Sequence, residues 1–152
     1  MPKETPYSRL DHIGIVVKDI DKAIKHLSGL GIGPFEAPFP HPPAQEKLVR
    51  GKPVDFELKL TSARIGDVRL ELLQPVKGKS VQQEFLDSHG EGLHHLGFTV
   101  KDLKSLDNEV ARLSKKGVKA LSSARLAQGA YAYMGTDEVG GVIIELMAKR
   151  PS

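Results

Sequence analysis

DHIGIVVKDI at residues 11–20 returns, nearly letter for letter, as HHLGFTVKDL at residues 94–103. With His12 set on His95, Leu10 falls on Leu93, Gly14 on Gly97, Val17 on Val100, Lys18 on Lys101, Asp19 on Asp102 and Ile20 on Leu103. Each copy runs on into a helical pattern that ends at glycine, DKAIKHLSGLG in the first and KSLDNEVARLSKKG in the second. Leu106, Val110 and Leu113 recur at helical spacing, and Gly117 follows two lysines whose charge suits the negative end of a helix. Asp19 or Asp21, and Asp102 or Ser105, suit the N-caps. Each copy later carries an apolar strand with a single glutamate, DVRLELLQP (residues 67–75) and GGVIIELMA (residues 140–148). Two further strands fit between, for which FELKLTSARIG and the segments around VKALSSA and AYAYMGT are the candidates. An internal duplication dictates the fold. The class expected is α+β, with two tandem βαβββ modules at residues 8–76 and 91–149 within a single domain spanning residues 1–152. They are joined by a linker at residues 77–90 with a short helical middle around VQQEFL.

The chain has 152 residues, 39% hydrophobic and 27% charged, enough for one domain with a packed core and unlike a disordered or fibrous composition. Its 22 basic and 19 acidic residues are mixed along the sequence, and the resulting charge of +3 is too small to argue for nucleic acid. The absence of cysteine excludes disulfides, thiolate metal sites and thiol nucleophiles. MPKETPYSRL has no apolar signal core, and no segment approaches the ~20 apolar residues of a membrane span, so a cytoplasmic protein without membrane attachment is expected. The tract GPFEAPFPHPPAQEKLVRGKP holds six of the ten prolines. It reads as an extended surface loop, with a lid over a pocket as the functional alternative.

Strand side chains alternate. Ile13, Ile15 and Val17 therefore share the face a helix covers, and His12 lies on the other; Leu96, Phe98 and Val100 repeat this with His95 opposite. In the glutamate strands Leu70 and Leu72 bracket Glu71, and Ile144 and Leu146 bracket Glu145. The uncovered face thus gathers His12, Glu71, His95 and Glu145. A carboxylate held among aliphatics needs a cation or a proton. Two imidazoles with two carboxylates form a charge-balanced N/O ligand set for a divalent ion such as Zn, Mn, Fe, Co or Ni. His26, His41, His89 and His94 lack the in-phase pairing, and strand parity turns His94 away from His95. Tyr131 and Tyr133 alternate on a strand of the second copy and read as packing.

DHIGIVVKDIDKAI, VRLELLQP, GEGLHHLGFTVKDL and GGVIIEL together resemble the vicinal oxygen chelate superfamily, which includes glyoxalase I, bleomycin-resistance proteins, extradiol dioxygenases and methylmalonyl-CoA epimerase, and they lean toward the epimerase branch. The resemblance implies an open, barrel-like mixed sheet around a metal-binding cup with ligands at His12, Glu71, His95 and Glu145. It implies epimerisation of an acyl-CoA thioester through a metal-stabilised enolate, with Glu145 as one proton carrier. The other carrier in that branch is a glutamate in an E-Q-G stretch. Here PVDFELKL stands instead, with Asp55 or Glu57 the nearest acid by count. Homodimerisation is usual in the resembling family. The alternatives are a glyoxalase I-like lyase acting on a thiol adduct of a 2-oxoaldehyde, and a non-catalytic small-molecule binder of the resistance type.

Overall fold

The computed structural model describes residues 4–151, and the duplication is visible in its strand order. The elements, in chain order, are β1 (Leu10–Val16), α1 (Ile20–Gly29), β2 (Phe39–Pro40), β3 (Ala44–Val49), β4 (Lys52–Pro53), β5 (Phe56–Ile65), β6 (Val68–Gly78), α2 (Val81–His89), β7 (Gly92–Thr99), α3 (Leu103–Lys115), β8 (Ala120–Leu126), β9 (Gly129–Met134) and β10 (Ile143–Lys149). They form one curled ten-stranded sheet ordered β2-β5-β6-β1-β7-β10-β9-β8-β3-β4. The first copy contributes β2-β5-β6-β1 and the second β7-β10-β9-β8, so the same order runs outward from the antiparallel β1/β7 seam in both directions.

The main helices begin where the aspartates place them. Asp19 accepts a hydrogen bond from the backbone N of Lys22, and Asp102 accepts one from that of Ser105. Helix α1 then packs Ala23, Ile24 and Leu27 on Ile15, Val17 and Leu72. Helix α3 packs Leu106, Val110 and Leu113 on Phe98, Val100, Leu146 and Ala148. Both helices therefore cover one face of the sheet and leave the other, concave face to the site. That inner face has its own apolar floor, with Val49, Phe56, Leu58, Ala124, Tyr131, Tyr133 and Ile143 joined by Val81 from α2.

The proline-rich tract departs from the loop expected of it. After two residues on the β5 edge the chain passes through Pro42 and Pro43 to the far side of the cup, where β3 pairs antiparallel with β8 of the other copy. No proline falls within β3 itself, and Pro40 and Pro53 stand in the two-residue strands β2 and β4 at the sheet's ends, where a missing N–H is tolerated. AQEKLV has every donor it needs, and its pairing covers the edge that β8 would otherwise leave open. Lys47 secures this strap, with its Nζ donating to the Phe56 carbonyl and lying 4.2 Å from the centre of the Phe56 ring.

Candidate metal centre

The register across the sheet builds the site in two adjacent rows. One runs Arg69, His12, Gly97, Glu145 and Tyr133; the other runs Glu71, Gly14, His95 and Ile143. Each row takes one histidine and one glutamate from opposite copies and places a glycine between them. The glycines are required, because the His95 ring lies over Gly14 and the His12 ring over Gly97, and a Cβ at either position would overlap the imidazole. His12 Nε2 lies 3.1 Å from His95 Nε2 and 2.8 Å from Glu145 Oε1, and His95 Nε2 lies 3.5 Å from the same oxygen. Donor atoms of His12, His95 and Glu145 all fall within 4.8 Å of one another. Glu71 stands at their margin, its Oε1 3.5 Å from His95 Nε2 and 3.9 Å from His12 Nε2. Two bonds of ~2.1 Å meeting at a right angle would separate their donors by ~3 Å. The cluster is thus compatible with one divalent cation, and the glycine cradles under both rings fit that use.

Electrostatics supports the same conclusion. Burial works against a charge on His12, yet hydrogen bonds to Asp11 and Glu145 and the nearby Glu71 charge win, and the imidazole is pushed up to about 10. Burial, aided by the His12 charge and only partly opposed by Glu145, holds His95 down to about 4. Burial raises the Glu71 carboxyl against the pull of His12 and Arg69. An imidazolium held between the carboxyl groups of Glu145 and Glu71 is the arrangement that a dication in the proton's place would relieve.

Two irregularities orient the His12 and His95 rings. Along β1/β7, Leu10 pairs with Phe98 and His12 with Gly97, then Gly14 pairs with His95 and Ile15 with Leu93, so Asp11 and His94 are the residues passed over. A bulge re-aims its side chain. Asp11 Oδ2 consequently accepts from His12 Nδ1 and from Arg69 Nη2, each at 2.8 Å. His94, expected to point away, instead brings its Nδ1 to 2.9 Å from His95 Nδ1 and is fully buried. Burial and the His95 charge hold His94 down to about 3, so it stays neutral. The tautomer that turns the His95 Nε2 lone pair toward the centre has His95 Nδ1–H donating to His94. The His94 proton then sits on Nε2, which is buried without a partner among the described residues, as is Gln82 Oε1. Strict alternation cannot reveal this; the signal is a polar residue directly before each of the two histidines, Asp11 and His94.

Asp55 and Glu57 stand apart from the cluster. Both are exposed, and Glu57 lies between Phe56 and Leu58, whose side chains take the inner face, so its own turns outward. Another residue, His41, approaches the centre from the strap. Its Nδ1 donates to the Pro42 carbonyl at 2.9 Å, and its ring meets Tyr131 edge-on at 5.6 Å. Burial keeps it neutral against the raising influence of Glu145 and Glu71. With Asp55, Phe56 and Leu58 it borders a cavity of about 390 Å³. Tyr131 and Tyr133 are indeed packed, with rings 5.4 Å apart, but Tyr133 also lies 4.9 Å from the His95 ring.

The fold and site define a duplicated βαβββ protein with a His/Glu cup, and the comparisons place it. The sequence pattern of the Glyoxalase/Bleomycin resistance protein/Dioxygenase superfamily matches residues 11–136, and the chain belongs to that family. An uncharacterized protein of Bacillus subtilis (strain 168), YqjC, is 31% identical over 146 residues, covering 91% of both chains. Methylmalonyl-CoA epimerase from Mycobacterium tuberculosis has a similar structure, with a TM-score of 0.64 and 25% identity over 99% of this chain and 94% of that one. A Streptomyces coelicolor methylmalonyl-CoA epimerase in complex with 2-nitronate-propionyl-CoA shares the fold, with a TM-score of 0.59 and 22% identity over 94% and 98% of the respective chains. No helix among the described residues is long and apolar enough to cross a membrane.

Proposed function

We propose that the protein is a divalent-metal-dependent isomerase that epimerises an acyl-CoA thioester of the methylmalonyl-CoA kind. The observation that carries this reading is the convergence of a buried carboxylate, Glu145, with both histidines at the inner end of the cup. His12, His95 and Glu145, with Glu71 at the margin, would hold a divalent ion, which would supply Lewis-acid stabilisation of negative charge on a thioester oxygen. Asp11 and His94 fix the two imidazoles through their Nδ1 atoms, so that both offer Nε2 to the centre. Glu145 takes the α-proton; its charge also raises the buried phenols of Tyr131 and Tyr133, after burial itself, and keeps them protonated beside it.

Inversion needs a second proton carrier on the opposite face of the substrate carbon. Asp55 and Glu57, the acids expected from the sequence, are exposed residues that border the same cavity as His41; the half-buried His41 takes the role in this reading. It is neutral, its Nδ1 is pinned to Pro42, and its Nε2 makes no hydrogen bond among the described residues. In one direction the neutral His41 imidazole accepts the α-proton and a protonated Glu145 carboxyl returns one to the opposite face; in the reverse direction Glu145 accepts and His41, then protonated, donates. Incubating the metal-loaded protein with methylmalonyl-CoA in heavy water tests the whole reading. Deuterium should enter the α-position, and Glu145→Gln should stop it while retaining some metal. Absence of exchange, with turnover of a hemithioacetal instead, would hand the site to lyase chemistry.

A further inference from the structure

The duplication extends to the outer, helix-covered face of the sheet, and there one copy is filled where the other is open. On the second copy the Tyr7 ring lies edge-on to Phe98, 5.3 Å between centroids, and its hydroxyl donates to Glu109 Oε2 at 2.7 Å. Phe98, Leu106 and Glu109 are accordingly buried, with 9%, 2% and 6% exposure. The offset of 83 residues that sets His12 on His95 gives Ile15, Ala23 and His26 as their counterparts. Ile15 and Ala23 are only half-buried and His26 is exposed. Beside them lies a groove of about 590 Å³, lined by Ile15, Val17, Ala23, Leu27 and Leu72. The same offset sets Gly90 on Tyr7, so no ring enters this groove from that position. A glycine stands there because α2 ends there: Gly90 is the helix C-cap, and its φ of 91° lies in the region that favours glycine.

Polarity at the rim is reversed as well. Tyr7 donates to a carboxylate that Arg112 also holds, whereas the open groove offers His26 in the place of Glu109, together with Lys18 and Lys22. Its two acids are already engaged, Asp19 accepting from the backbone N of Lys22 and Glu91 from that of Lys18. Lys18, Lys22 and His26 make no ion pair among the described residues. A ring that ends in an anionic acceptor, where Tyr7 ends in a donor, complements such a rim. We propose that this groove binds a small aromatic carboxylate, its ring seated on Ile15 as Tyr7 is seated on Phe98 and its carboxylate held by His26, Lys18 and Lys22. Contact with the apolar floor supplies the affinity, and the cations select a carboxylate over a hydroxyl. The volume falls within the ~300–1,000 Å³ usual for small-molecule sites. Because the groove lies on the opposite side of the sheet from the His12 and His95 rings, the site stands whether or not the cup carries out isomerisation.

Two probes test it: p-cresol, which is the tyrosine side chain itself, and 4-methylbenzoate, the same ring with a carboxylate for the hydroxyl. Titrated at low salt into the isotope-labelled full chain and followed by amide chemical shifts, 4-methylbenzoate should move Val17, Ala23, Leu27 and Gly92. It should bind about fivefold or more tighter than p-cresol. His26→Glu, at an exposed position, installs the second copy's polarity and should reverse that preference. Ala23→Phe, which fills the groove from α1, should abolish binding of both probes, with thermal unfolding as the check that each variant folds. Shifts confined to the metal cup, equal affinity for the two probes, or a preference unchanged by His26→Glu would overturn the site. So would a native dimer that Ala23→Phe disperses, which would give the groove to a second copy of the chain.

Discussion

Gly14 and Gly97 are the residues on which the centre rests, although neither carries a functional group. Each supports the ligand ring of the other copy, and a methyl group at either position would force an imidazole sideways. Gly14→Ala and Gly97→Ala should each weaken metal binding by about 10–100-fold, the range seen when ligand orientation is disturbed. Competition with a chromophoric chelator measures it, and native affinity in both variants would contradict the cradle. A second expectation concerns protons. In the metal-free protein His12 is raised from 6.5 to about 10, so it holds its proton at neutral pH and a metal must displace it. Metal affinity should climb by about a factor of ten per pH unit below that value. Calorimetry in buffers of different ionisation enthalpy should count at least one proton released per metal at pH 7. Stability of the metal-free form follows the same sign: the contribution of His12 is complete below 6.5 and is lost as pH rises through about 10.

Among the elements, the strap formed by β3 is where sequence and structure part. Proline content argues for an extended surface loop over residues 33–53, whereas Ala44–Val49 and Lys52–Pro53 within that tract are paired strands, because composition is silent on where a chain goes next. The pairing of β3 with β8 joins segments more than seventy residues apart, so no local pattern encodes it. The other long strands and α1 and α3 were legible because one apolar face repeats at period two or 3.6 in each copy. The bulges at Asp11 and His94 were not, since they break that period for the sake of the ring contacts. Val49 anchors the strap, 7% exposed in the inner cluster with Phe56, Tyr131 and Tyr133. Val49→Ala should cost roughly 2 kcal/mol from two buried methyl groups and the space they leave. Urea unfolding measures this, and because the same tract carries His41, inversion should slow in this variant while exchange from one face persists. His41→Asn tests that element's chemistry directly: exchange from one face persists while inversion slows by a factor of about 100 or more. Inversion at the native rate would remove His41 from the reaction.

At the scale of the molecule the duplication brings four polar side chains to one place. Neither copy holds enough donors for a metal: the first has His12 and Glu71, the second His95 and Glu145, and the β1/β7 seam brings the pairs together. The four positions could be named from the repeat because identical strands in identical register put identical residue types on the same face. What the repeat could not show is the asymmetry laid over it, with a carboxylate behind one histidine, an imidazole behind the other, and a strap from the first copy closing over the second. The most direct test is a manganese(II) titration followed by electron paramagnetic resonance. The account requires one tight site per chain with two histidine nitrogens coupled to the ion, lost in His12→Ala/His95→Ala. A native chain that binds no metal, or a double variant that binds it as the native chain does, would contradict it.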